Sequence, residues 1–139
     1  MRDITDRLHL QPAFAPKAAV TDNTAQVSST CDLLGFGSCM LAIITGTNAD
    51  ADVTYTVLVE DSADNSTFAA VDDAYLNGTE VLAGFQFDDD GECRKIGYIG
   101  TKRYVRCTIT PANNTGNVFI AGTWVLGAPS RQPTANPPA

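Results

Sequence analysis

A single histidine, His9, is all the imidazole that this 139-residue chain carries. A Ser-His or Cys-His nucleophile pair needs its histidine held against a rigid scaffold. His9 instead precedes a leader punctuated by Pro12 and Pro16, so the usual catalytic triads are excluded. Positive charge is also scarce. Nine Lys and Arg stand against sixteen Asp and Glu, a net charge of −7 with a pI near 4.4. Phosphate binding requires a basic footprint, so no general affinity for DNA or RNA is expected. No stretch approaches the roughly 20 apolar residues of a membrane helix. Residues 1–20 also lack the apolar run of a secretory signal. The expectation is a protein made and kept in a cytoplasm, unless it leaves as part of something larger.

Other absences narrow the chemistry. None of Cys31, Cys39, Cys93 and Cys107 forms a CxxC pair, which argues against a zinc site. Cys39 and Cys107 read as small buried hydrophobes on strands. Cys31 and Cys93 lie near expected loops, where a pairing between them is open. Gly35-Phe36-Gly37 precedes a strand and not a helix, so it is no dinucleotide loop. No cofactor and no metal are expected. The one segment with suitable oxygen ligands is Asp88-x-Asp90-x-Glu92, which calcium accepts in principle but which lacks the length and ligand order of an EF-hand loop. Consecutive aspartates more often form a solvated turn, and an enzyme using paired carboxylates is not the expectation.

What the chain does have is strand pattern. Apolar residues make up 44%, ample for one domain that buries about two-thirds of its unfolded surface. Val53, Tyr55, Val57 and Val59 alternate with Thr54, Thr56, Leu58 and Glu60, the period of a half-buried strand. Ser38–Thr45 is almost wholly apolar, as a strand buried on both faces is. Further strands are expected over residues 25–30, 67–71, 80–87 and 117–126. The stretch Arg94–Thr110 reads as a hairpin turning at Gly100-Thr101-Lys102. Seven or eight strands with turns every 8–12 residues predict an all-β protein, an antiparallel β-sandwich of jelly-roll or immunoglobulin-like type. The expected organisation is an extended arm over residues 1–24, a sandwich over 25–127 and a Pro-rich tail over 128–139.

Candidate interface residues follow from what looks misplaced. Leu8, Leu10 and Phe14 are apolar groups on a polar leader. They either pack back on the parent domain or dock on a neighbouring subunit. Lys102, Arg103 and Arg106 cluster with Arg94 and Lys95 in an acidic chain, either as charge balance on an exposed face or as a patch for an acidic neighbour. Arg131 in the tail is a further candidate contact. Tyr55, Tyr75, Tyr98 and Trp124 are the rings that a carbohydrate-binding sandwich would use for stacking, although Trp124, in the last strand, reads as core.

Three stretches resemble a group of small structural proteins of tailed bacteriophages and prophages, encoded near the major capsid protein. They are Leu33-Leu34-Gly35-Phe36, then Val59-Glu60-Asp61-Ser62-Ala63-Asp64-Asn65-Ser66-Thr67-Phe68, and Lys95-Ile96-Gly97-Tyr98-Ile99-Gly100-Thr101-Lys102-Arg103-Tyr104-Val105-Arg106. Gly127-Ala128-Pro129 and a short polar tail follow the last strand. The resemblance implies a β-sandwich virion protein, a decoration (cement) protein on the capsid exterior that assembles in the host cytoplasm. Its partners would be the major capsid protein and further copies of itself, with a trimer suited to sites between capsomers. Alternatives are the base of a head spike or fibre, a head–tail connector, or a carbohydrate-binding module. The four cysteines and the segment Asp88–Glu92 stand outside the pattern.

Overall fold

A computed structural model describes residues 3–138; residues 1, 2 and 139 of the expected arm and tail lie outside the described residues. The chain is an antiparallel β-sandwich. One sheet holds, in spatial order, β1 (His9–Phe14), β11 (Val118–Pro129), β4 (Phe36–Asn48), β9 (Cys93–Tyr98) and β7 (Leu76–Asn77). The other is built on β10 (Tyr104–Ala112) and β5 (Thr54–Ser62). Beside β10 run the short β2 (Gln26–Val27) and β3 (Cys31–Asp32), and beside β5 run β6 (Ala69–Ala70) and β8 (Phe85–Gln86). Each pair of short strands forms one broken rib, so the eleven strands among the described residues make about the expected number of ribs.

The pairing is nested. The first strand pairs with the last, β3 with β10, β4 with β9, and β5 with β6. This is one long antiparallel hairpin rolled so that successive ribs fall alternately in the two sheets, which makes the fold a jelly roll. Arg94–Thr110 is therefore not a hairpin. Its two halves, β9 and β10, belong to different sheets, and residues 99–103 carry the chain over the end of the sandwich. The turn residues suit a hairpin and an arch equally well.

The core explains the inward half of each pattern. Leu41 and Ile43 of β4, Trp124 and Leu126 of β11, and Ile96 and Tyr98 of β9 face Tyr55, Val57 and Val59 of β5 and Val105, Cys107 and Ile109 of β10. Each such aliphatic side chain contributes about 1.5–3 kcal/mol by leaving water. Trp124 is core, as expected, and its Nε1–H donates to the Ser29 carbonyl at 3.1 Å. The run Ser38–Thr45 departs from expectation. Cys39, Leu41, Ile43 and Thr45 are buried, but Met40 and Ala42 are only partly covered and Ile44 is 52% exposed. Both sides are apolar and only one is covered within this chain.

Glu80–Phe87 is not one strand. Glu80–Ala83 forms a helical turn, α1, whose first residue follows the cap Thr79. The Thr79 Oγ1 accepts from the Leu82 N–H at 3.1 Å. Glu80 Oε1 accepts from the Val59 N–H at 2.6 Å, occupying the edge of β5 between its two short partners. A side chain there replaces a strand.

The two ends of the chain are tied together. After a 3-10 turn at Thr5–Arg7, part of the expected extended arm packs back as the edge strand β1, with Pro12 at an edge where its missing N–H is tolerated. The Thr134 N–H donates to the Asp6 carbonyl at 3.0 Å, and the Thr134 hydroxyl donates to the Leu8 carbonyl at 2.6 Å. The tail thus folds over the start of the chain.

Candidate docking face

Strand alternation gives each sheet an outer face, and the two differ in chemistry. On the β5–β10 sheet the outward residues are Thr54, Thr56, Leu58 and Glu60 opposite Thr110, Thr108 and Arg106. Arg106 pairs with Glu60 through two contacts of 2.9 and 3.3 Å and lies 4.2 Å over the Phe68 ring. The Thr108 hydroxyl also donates to Glu60 at 3.3 Å. This face is polar, and its principal charges are compensated.

The outer face of the five-stranded sheet has almost no charge. One row across it reads Leu10, Val125, Met40, Gly97 and Asn77; the next reads Pro12, Thr123, Ala42 and Lys95; a third holds Ala121, Ile44 and Cys93. Leu10 is 47% exposed and Phe119, at the upper end of β11, also 47%. Lys95 is the one charged side chain in these rows and has no ion-pair partner among the described residues. At the lower end the face opens into a groove of about 990 Å³, whose lining includes Leu34, Gly37, Met40, Gly97, Ile99 and Lys102. Leu34 and Ile99 are both largely exposed.

The residues singled out in the sequence scatter around this surface. Phe14 is buried and Leu8 half-buried, so both pack back on their own domain, while Leu10 joins the apolar face. Lys102 and Arg103 border the groove, yet each has a partner. Lys102 Nζ lies 2.7 Å from Asp61 Oδ1, and Arg103 makes a two-pronged contact with Asp32 at 2.7 Å for each prong. The Arg103 guanidinium beside it holds the Asp32 carboxyl below its ordinary range. Arg106 stands on the opposite sheet. Arg131 is exposed in the tail, beside a second shallow cleft lined by His9, Leu34 and Thr134. Sequence reasoning missed Ile44, Met40 and Val125. Their signal is the excess apolarity of β4 and β11; the pattern of β4 reads as burial on both faces, while the last strand gives no expectation for its outer side.

The other candidate groups are structural. Cys39 and Cys107 are buried, as expected for small hydrophobes on strands. Cys31 and Cys93 do not pair. Cys31 is buried opposite Val105, whereas Cys93 is exposed opposite Ile44. The Cys31 thiol is raised by its hydrogen bond with Cys39 and then by burial. In the acidic segment, Asp89 Oδ2 accepts from the Gln86 N–H and Asp90 Oδ1 from Asn48, while Arg94 contacts Asp89 and Glu92. Among the described residues no group of three or more His, Cys, Asp or Glu is placed to hold a metal. Of the four rings a glycan platform would use, Tyr55, Tyr98 and Trp124 are buried and only Tyr75 is exposed. His9 is buried against Phe36, the ring centroids 5.2 Å apart.

No family model matches the chain, and no curated protein matches it. Among solved structures it is similar to the PBSX exported protein XepA, at 14% identity and a TM-score of 0.55, over 92% of this chain and 39% of that one. It is similar to a chain of infectious bursal disease virus, Gx strain, at 9% identity and a TM-score of 0.50, over 91% and 35% of the two chains. A broad bean stain virus chain aligns at 10% identity and a TM-score of 0.52, over 86% of each. The present chain spans well under half the length of the first two. At these identities the likeness is one of fold, and the jelly roll is what the four chains share.

Proposed function

We propose that this chain is a structural protein of a virus particle, specifically a decoration protein that binds the exterior of a phage head and stabilises contacts between capsomers. The observation that carries the reading is the apolar outer face of the five-stranded sheet. Leu10, Ile44 and Phe119 are exposed there beside the partly covered Met40 and Val125, and a contiguous apolar patch rimmed by polar residues marks an interaction site. The resemblance of three sequence stretches to phage structural proteins supports it, as does a fold shared with chains of two viruses and of the PBSX exported protein XepA. A protein that binds the assembled shell and not its free subunits stabilises the shell by mass action. Many copies multiply weak contacts through avidity.

The test is the amount of this chain relative to the major capsid protein in purified particles, by quantitative mass spectrometry. A stoichiometry approaching that of the capsid protein is expected. A few copies per particle would instead mark a spike, fibre base or connector, and absence from particles would overturn the virion reading.

A further inference from the structure

We propose that the C-terminal segment is a releasable strap behind the loop Leu33–Gly37, pinned by Thr134, and that its release extends the docking face at that end. The inference rests on the reading of that face as the docking surface and adds its regulation.

The strap is defined by where its contacts fall. The Ser130 N–H donates to the Gly35 carbonyl at 2.8 Å. Further on, Thr134 alone supplies the rest. Its N–H donates to the Asp6 carbonyl at 3.0 Å, and its hydroxyl reaches the carbonyls of Leu8 at 2.6 Å and Thr5 at 3.1 Å. Among the described residues, Arg131 has no ion-pair partner. The preceding strand is fixed as far as Pro129, which pairs with Phe36 of β4, so release begins at Ser130.

The segment buries almost nothing. Residues 130–133 and 135–138 are exposed, and only Thr134 is half-buried. Burial of apolar surface is the dominant favourable term in folding, and the strap does without it. A hydrogen bond exchanged for one with water is worth little net, while every residue held in one conformation gives up backbone entropy. The closed strap is therefore only slightly favoured over the open one. It opens locally, far more often than the sandwich unfolds.

What lies under the strap gives its release a consequence. Between strap and body is a cleft of about 460 Å³ whose lining includes His9, Leu34, Phe36, Arg131 and Thr134. Leu34, Gly35 and Phe36 also line the groove of about 990 Å³ at the lower end of the docking face. The loop carrying these three residues is thus a wall of both. Opening the strap frees the Gly35 carbonyl, uncovers the far side of Phe36 and lets the groove continue past the loop. A partner seated across that end competes with the closed strap, so the open fraction scales its apparent affinity.

Amide hydrogen exchange of the full chain tests the strap without a partner. The amides of residues 130 and 134 should be protected about 10–100-fold over an unstructured chain, and far less than those of the core strands. Thr134→Val removes the hydroxyl from an otherwise exposed segment and should lower that protection about tenfold, whereas Thr134→Ser, which keeps the hydroxyl, should retain it. Binding to particles freed of this chain should tighten by up to the same factor, about tenfold, in Thr134→Val and stay at the parent's level in Thr134→Ser. Protection at residues 130 and 134 equal to that of the core, or none at all, would overturn the inference, because the strap would be either fixed or never closed. Particle binding that is weakened in Thr134→Val, or unchanged although protection is lost, would also overturn it, since the tail would then be a contact or a bystander. No particle binding by the parent or either variant would instead overturn the docking reading, and the strap's regulatory role with it.

Discussion

The Tyr98 hydroxyl donates a 2.9 Å hydrogen bond to Asp61 Oδ2, and that bond joins the two sheets, since Tyr98 lies in β9 and Asp61 in β5. The other carboxylate oxygen takes Lys102 Nζ at 2.7 Å, and the Lys102 N–H donates back to the Tyr98 hydroxyl at 3.1 Å. Asp61 is 7% exposed. The arch that replaces the expected hairpin is therefore held by a closed set of polar contacts at its base.

Removing the bridging hydroxyl should cost stability without changing the fold. Tyr98→Phe leaves one oxygen of a nearly buried carboxylate without its partner, a loss of about 1–3 kcal/mol. Urea denaturation should show the midpoint falling at unchanged slope, which identifies a stability effect rather than a change in compactness. An unchanged midpoint would mean that water replaces the hydroxyl and that the bridge contributes nothing.

Gly100→Ala should destabilise the same arch for a different reason. A Cβ at residue 100 would collide with the Tyr98 ring and hydroxyl. At an open position Gly→Ala stabilises by about 0.4–1 kcal/mol through the unfolded state. Here the ring must leave its bond to Asp61 or the turn must shift, so the expected sign is reversed. A melting temperature at or above the parent's would show that the turn yields easily.

How much of this was legible beforehand depends on where the deciding contact lies. The β5 alternation from Val53 to Glu60 needs only burial of one side, and it reads directly from the sequence. Trp124 as core is equally local. The Arg94–Thr110 arch was not legible, because Gly100-Thr101-Lys102 fits either connection and the choice rests on Asp61, 37 residues before Tyr98. Glu80–Phe87 has strand composition, but the Thr79 cap and the Glu80 contact with the edge of β5 turn its first half into helix. The basic cluster was visible as a cluster. Its neutralisation by Asp32, Glu60 and Asp61 depends on cross-strand and cross-sheet neighbours that no local window contains.

Alkaline stability should fail above pH 10. Tyr98 and Tyr55 are both pushed up to about 12, in each case first by burial. For Tyr98 the bond to Asp61 adds to this, and for Tyr55 the nearby Asp50 does. A phenol whose folded pKa lies above its unfolded value of 10.0 keeps its proton in the native state while the unfolded chain loses it. The stability it contributes is full below pH 10 and is lost as pH rises toward 12. Phenolate absorbance and circular dichroism should therefore change together for these two rings. Tyr55 and Tyr98 titrating near 10 with the fold intact would contradict the burial seen here.

Thiol reactivity should separate the four cysteines into one and three. Cys93 is exposed at the start of β9, while Cys31, Cys39 and Cys107 are buried. The thiolate is the reactive form, and two of the buried thiols are shifted against forming it. Cys31 is raised by its bond with Cys39 and by burial, and Cys107 is pushed up to about 12, chiefly by burial. Labelling the native protein with a thiol reagent should modify one site rapidly, and Cys93→Ser should abolish that fast phase. The remaining three should react only as the sandwich opens, with rates that follow denaturant as global unfolding does. Fast modification of Cys31 or Cys39 in native conditions would show that the arch end of the sandwich opens locally. The Tyr98–Asp61 bridge would then not be closing the two sheets there.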